Sequence, residues 1–251
     1  MRSQYKTVRG AAFRQSLYFL KGERKMSEIL YLDKNAVVIY KPTGIPTQPD
    51  PTGSVDAMTA LSDRLSSDGE SAELYLIHRL DRVAEGLLVF ARNKKSAGEL
   101  SRMAAEQQLG KEYLAVVSGD APGGSMTDLL YKDARQGKSF VTDRERAGVK
   151  RAELEYECVA RRDGLSLVRI RLKTGRFHQI RAQFSSRGMP LVGDGKYGSR
   201  DKGARFPALA SHRLDFELMG KRVFATRMPN ITEYPWRIFA DEINSLGGIY
   251  D

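Results

Sequence analysis

The chain has 251 residues, enough to bury a substantial core as one large domain or two small ones, and 41% hydrophobic with 29% charged residues is an ordinary soluble globular composition. No apolar run approaches the roughly 18 residues of a membrane-crossing helix, and a single cysteine, Cys158, excludes an intrachain disulfide and a cysteine-based zinc site. The net charge of +10 points to a polyanionic partner and is uneven: residues 1–25 carry seven Lys/Arg against Glu23 alone, and residues 131–187 carry fifteen against seven Asp/Glu.

Residues 1–25 read as a basic arm, a transit peptide or an extension upstream of a start at Met26; the last is favoured, with the domain running over 26–251. Ala36–Lys41 predicts a strand, and three prolines in Pro42–Pro49 predict a stiff loop after it. Ser54 is the expected N-cap of a helix bearing Met58, Leu61 and Leu65 on one face. A strand over 74–80 leads into Asp81, and the apolar run Leu87–Phe90, bounded by Gly86, reads as a strand buried on both faces. Ala97, Leu100, Met103 and Ala104 fall at helical spacing, closed by Gly110; Lys111–Val117 is the next strand, with Tyr113 on one face.

In the basic segment, Leu154, Tyr156 and Cys158 share a strand face, and Cys158 is expected to be a buried small hydrophobe. Val168, Ile170 and Leu172 alternate with Arg169, Arg171 and Lys173, giving one apolar and one cationic face. A helix capped near Thr174 then carries Phe177, Ile180 and Phe184 and ends at Gly188-Met189-Pro190, with His178 and Arg181 on a common face. Residues 193–198 are a turn, and the last strands cover 212–218 and 222–226.

Several chemistries lack their motifs. The three histidines show no paired spacing and no accompanying carboxylate cluster, which argues against metal-dependent hydrolysis. There is no G-x-S-x-G, and Gln136-Gly137-Lys138-Ser139 is not a P-loop because the first glycine position is Lys132. Asp81 between Arg79 and Arg82, taken alone, is more often a structural ion pair than a reactive group.

Four elements change that weighting: Lys41-Pro42-Thr43-Gly44-Ile45-Pro46, His78-Arg79-Leu80-Asp81-Arg82, Lys111-Glu112-Tyr113-Leu114-Ala115-Val116-Val117-Ser118-Gly119, and Gly175-Arg176-Phe177-His178-Gln179-Ile180-Arg181 with Gly193-Asp194 and Tyr197-Gly198 after it. In this order and spacing the chain resembles the RluA-like family of RNA pseudouridine synthases, in a short form without an added N-terminal RNA-binding module. It departs from many relatives after Asp81, where Val83-Ala84-Glu85-Gly86 stands. The resemblance implies an α+β fold with a mixed, largely antiparallel sheet flanked by helices and a central cleft. It also implies a cytoplasmic monomer that isomerises uridines of ribosomal or transfer RNA without cofactor or metal.

By the same resemblance Asp81 is the essential carboxylate, as nucleophile or as the base that opens a glycal route. Arg181 would keep it ionised, and Tyr113 would lie at the base and take the C5 proton. Arg79 would occupy the space of the flipped nucleotide, and Arg82, Arg176, His178, Arg169, Arg171 and Lys173 would bind RNA. The alternative function is a catalytically silent RNA-binding or assembly factor on the same scaffold. His-Arg-Leu-Asp also recurs at 212–215, where alternation with Leu214, Phe216 and Leu218 places Asp215 in mid-strand on the polar face.

Overall fold

Val37 and Ile39 point to one side of their strand and Ala36 and Val38 to the other, and all four are fully buried. Such a strand needs both faces covered. The computed structural model describes residues 27–248, so the expectations for residues 1–25 and Met26 lie outside the described residues. Within them the strands are β1 (Glu28–Leu32), β2 (Ala36–Lys41), β3 (Tyr75–Leu76), β4 (Glu85–Ala91), β5 (Gly110–Ser118), β6 (Gly124–Asp133), β7 (Lys138–Thr142), β8 (Val149–Arg162), β9 (Leu165–Leu172), β10 (Leu209–Leu218) and β11 (Lys221–Thr226).

All belong to one sheet ordered β1-β2-β4-β10-β5-β9-β8-β6-β7, with β3 on β4 and β11 on β10. Every pairing is antiparallel except β4 with β10, which run parallel over Glu85–Ala210 and Gly86–Ser211. Gly86 makes that contact possible. Its φ is +121°, and a Cβ there would lie 2.2 Å from the Ser211 carbonyl oxygen, so only glycine fits.

Helices α1 (Ala57–Ser67) and α3 (Gln179–Ser186) cover one face, packing Leu61, Leu65, Ile180 and Phe184 on Leu88, Phe90, Val168 and Ile170. The other face is covered by α2 (Lys94–Ala105) beneath β2, β4 and β10, and by Trp236, Phe239 and α4 (Ala240–Gly248) beneath β5 and β9. The α+β expectation holds, and the strand read over Leu87–Phe90 is indeed buried on both faces.

Local chemistry moved several boundaries. Asp56, not Ser54, caps α1, accepting the Thr59 N–H at 3.0 Å. Only Tyr75–Leu76 of the expected 74–80 strand pairs with β4, and the rest becomes the loop bearing Asp81. Gly110 opens β5 instead of ending α2, because Gln107 at φ +61° already turns the chain. Thr174 does not cap α3: its hydroxyl is committed to the Gln179 side chain at 2.8 Å, and His178, in the left-handed region at φ +53°, starts the helix. Cys158 is partly exposed beside a bulge in β8, not buried.

Candidate active site

Asp81 stands on the loop entering β4 and is fixed from both sides. Leu80 is buried in the core, and its backbone is clasped by Thr47, whose hydroxyl donates to the Leu80 carbonyl at 2.8 Å and accepts its N–H at 3.1 Å. On the far side, the fully buried Lys41 ammonium donates to the carbonyls of Pro42 (2.9 Å), Ile45 (2.9 Å) and Ala84 (2.6 Å). One amine thereby ties the Pro-rich loop to the loop that bears Asp81. Burial pulls its pKa down to about 7 against the opposing fields of Asp81 and Glu85.

Across the cleft, α3 presents Arg181 with its guanidinium divided between two carboxylates. Nε and one terminal nitrogen grip Asp194 at 2.7 and 2.8 Å, and the other terminal nitrogen reaches Asp81 Oδ2 at 3.3 Å. Asp194 is almost completely buried and comes from the turn after α3. The bidentate grip fixes the plane of the guanidinium, and only a single, longer bond is left for Asp81.

His178 places Nε2 3.7 Å from the same Oδ2. Both contacts fall on Oδ2, and among the described residues no side chain bonds Oδ1. Burial pushes the Asp81 pKa up; Arg181 and, more weakly, Arg79 oppose it, while Asp194 adds to the rise. The guanidinium therefore offsets desolvation without reversing it, and it is the largest influence favouring the ionised form of Asp81.

Tyr113 rises from β5 behind the carboxylate, buried in the core beneath α1 and α3 and paired in register with Ser211 of β10. Burial and the Asp81 charge push its hydroxyl above the usual tyrosine range, while Ser211 pulls the other way. The phenol thus stands protonated at neutral pH. It can take a proton only while passing on its own, and as a neutral group it donates a hydrogen bond.

The remaining residues divide sharply. Arg79 is exposed at the rim and makes no hydrogen bond or ion pair among the described residues. Arg79, Lys132 and Lys196 all lie close enough to His178 to depress its protonation, so an exposed cationic rim borders the cleft. Arg82 turns away to hold the loop after Lys41, donating to the Gly44 carbonyl (3.0 Å) and to the Thr52 and Ser54 hydroxyls (3.2 Å each). Arg176 is exposed and donates through Nε to the Arg151 carbonyl at 2.9 Å.

Arg169, Arg171 and Lys173, expected to bind RNA, lie apart from Asp81. Val168 and Ile170 face the Tyr113 side, so the alternating cations project from the opposite face of the sheet, where they pair with Glu157 (2.6 Å), Glu112 (2.9 Å) and Glu155 (3.3 Å). They belong to a charge lattice turned away from the cleft. Asp194, Tyr197, Lys41 and Thr47 enter the site without having been singled out. Their signal was present for three of them: Lys41 opens the Pro-rich element, and Asp194 and Tyr197 stand in the turn that follows the Arg181 helix. Among the described residues no group of three or more His, Cys, Asp or Glu is placed to hold a metal ion.

A family profile described as RNA pseudouridylate synthase matches residues 35–186, which span β2 through α3 and so include Asp81, Tyr113 and Arg181. An uncharacterized RNA pseudouridine synthase of Zymomonas mobilis is 33% identical over 209 residues, covering 80% of this chain and 92% of that one. The ribosomal large subunit pseudouridine synthase D of Borreliella burgdorferi is 28% identical over 235 residues, covering 87% of this chain and 71% of its relative. Among solved structures, human RNA pseudouridylate synthase domain containing 4 shares the fold with a TM-score of 0.68 at 22% identity, over 86% of this chain and 93% of that one.

Proposed function

Since the chain belongs to the RNA pseudouridylate synthase family and is an RNA-modifying isomerase, we propose that it converts specific uridines of structured ribosomal or transfer RNA, with Asp81 as the essential carboxylate. The observation that carries the assignment is the asymmetric clamp on Asp81. Oδ2 is held by Arg181, which is itself locked by Asp194, while among the described residues no hydrogen bond falls on Oδ1. A carboxylate steadied through one oxygen and free at the other suits attack at C1′ and equally suits removal of a sugar proton.

The reaction breaks the N1–C1′ bond, rotates the base and joins C5 to C1′; the proton leaves C5 and N1 gains one. No electron acceptor or transferred group is involved. In either route Arg181 holds the Asp81 anion in place before it reacts, and the negative charge passes to the uracil as the N1–C1′ bond breaks. Tyr113, held under the cleft floor, packs against the uracil and hydrogen-bonds it, and serves as the relay through which the C5 proton leaves. Arg79 sits where a flipped nucleotide vacates its stack, and with Lys132 and Lys196 it contacts the phosphates alongside. The assigned domain is residues 26–251, acting as a monomer in the cytoplasm.

Mapping pseudouridine across total RNA with and without the gene tests the assignment. The expected outcome is loss of modification at one or a few stem-loop uridines, restored by the wild-type protein and not by Asp81→Asn. Restoration by Asp81→Asn would refute the catalytic role, and an unchanged map would leave ribosomal and transfer RNA without support as substrates.

A further inference from the structure

His178 is half-buried against the site in a conformation that its own backbone disfavours. Its φ of +53° turns the imidazole inward, and the ring stacks on Phe177 with centroids 3.8 Å apart. Burial and the surrounding Arg181, Lys196, Lys132 and Arg79 hold its pKa down to about 3, so the ring is neutral and carries one hydrogen. Which nitrogen carries it decides whether His178 offers Asp81 a donor or a lone pair.

The neighbouring contacts answer that. Tyr197 lies 3.0 Å from His178 Nδ1, and the Ser139 backbone N–H donates to the Tyr197 hydroxyl oxygen at 2.7 Å. An oxygen already receiving that N–H has its own proton to give, and His178 Nδ1 is the acceptor within reach. The remaining hydrogen must then sit on Nε2, which faces Asp81 Oδ2 at 3.7 Å. The chain runs from a β-hairpin amide through a phenol and an imidazole to the carboxylate.

We propose that Tyr197 is a positioning residue for the isomerisation: its hydroxyl proton, given to His178 Nδ1, fixes the imidazole with its single hydrogen on Nε2 and aimed at Asp81 Oδ2, so that Oδ1 is the oxygen left to react. Arg181 and His178 then approach one oxygen from two directions and stop the carboxyl group from turning over. The inference rests on Asp81 being the reacting carboxylate.

The chain has only three histidines, so nitrogen-15 NMR of the imidazoles in the resting protein reads the tautomers directly, assigned by loss of signal in His178→Asn. Asn also tolerates the left-handed backbone at that position. His78 is an internal contrast, because its Nε2 accepts the Val89 N–H at 3.3 Å and its hydrogen must be on Nδ1. The expected result is a hydrogen on Nε2 of His178 in the wild type and a mixture of the two forms in Tyr197→Phe.

With RNA bearing tritium at uridine C5, Tyr197→Phe should lower kcat about tenfold, the equivalent of roughly 1.4 kcal/mol, with KM little changed. In a His178→Asn background the same substitution should cost nothing further. A hydrogen on Nδ1 in the wild type, or an unaltered tautomer in Tyr197→Phe, overturns the proposal. So does a full tenfold loss persisting in the His178→Asn background, since Tyr197 would then act by anchoring Ser139 and its hairpin. The NMR result does not depend on turnover: an active Asp81→Asn would sink the function proposed above while leaving the tautomer measurement standing.

Discussion

The sequence His-Arg-Leu-Asp occurs at 78–81 and at 212–215, and the fold gives the two copies opposite surroundings. In the first, the loop conformation leaves Arg79 free at the rim and turns Asp81 into the cleft, held by one 3.3 Å bond. In the second, β10 projects Arg213 and Asp215 to the same side. There Asp215 accepts from Arg213 at 3.0 Å and from Arg222 at 2.9 and 2.7 Å, and Arg213 also reaches Glu112 at 3.5 Å. The hydrogen bonds from Arg222, ahead of those from Arg213, hold the Asp215 pKa below the usual carboxylate range, whereas burial drives that of Asp81 above it. Identical residues thus become a satisfied ion pair in a strand and an under-compensated carboxylate on a loop.

The most decisive way to break this contrast is to exchange each carboxylate for its amide. Asp81→Asn is expected to lower single-turnover isomerisation by on the order of 10⁴-fold or more with RNA affinity kept, and Asp215→Asn to stay within about threefold of wild type. If Asp215→Asn were the inactive protein, the site would have to be moved to the other copy. Tyr113, which stands beside the first aspartate only, should follow it: Tyr113→Phe should slow tritium release by roughly a hundredfold at unchanged affinity. A fully active Tyr113→Phe would reduce that ring to packing.

The two arginines sharpen the comparison through salt. Arg79→Gln should reduce the slope of log affinity against log salt by about 0.7, the value of one single-strand phosphate contact. Arg213→Gln should leave it unchanged, as should replacement of Arg171 and Lys173 together. A slope change from those two would restore the opposite face as an RNA surface.

The smallest effects are in stability, and they carry opposite signs. A carboxyl whose folded pKa is raised stabilises only while protonated, so the Asp81 contribution is lost as pH rises through its folded pKa. Asp81→Asn should therefore raise the Tm by a few degrees at neutral pH, with the gain vanishing in acid. The depressed pKa of Asp215 contributes stability that is present above the unfolded value and is lost as pH falls through the folded one, so Asp215→Asn should lower the Tm at neutral pH and do nothing in strong acid. Thermal melts from pH 3 to pH 8 check both signs.

Apolar runs and period-two patterns carried most of the architecture: β2, β4 and β5 are buried on both faces, and β9 buries Val168 and Ile170 while Arg169 and Arg171 stay less buried. Asp81, Tyr113, His178 and Arg181 were recognisable from their motifs and do converge. Helix starts were less legible: Ser54 and Asp56 are both competent caps, and only the position of the Pro46 and Thr47 carbonyls, which accept the Ala57 and Met58 N–H groups, decides between them. The cationic face of β9 was legible as a face, but the carboxylates that pair with it were not. Its partners Glu112, Glu155 and Glu157 lie on other strands, so their neutralising effect is written in the register and not in the local sequence. Asp194 was missed for a similar reason, since its role depends on a guanidinium 13 residues away.

The place of β10 in the strand order bears on how the protein is made. It lies between β4 and β5, yet on a ribosome it emerges long after both. Until residues 209–218 appear, the inner edges of two strongly apolar strands, Glu85–Ala91 and Gly110–Ser118, stay unpaired side by side. Such edges invite strand addition from any other chain. The nascent protein has therefore to hold a slot open for its central strand, and a chain released before Leu218 would expose two sticky edges and lack the Ser211 backbone against which Gly86 closes. Synthesis that stalls between α3 and β10 should yield aggregation instead of a partly active enzyme.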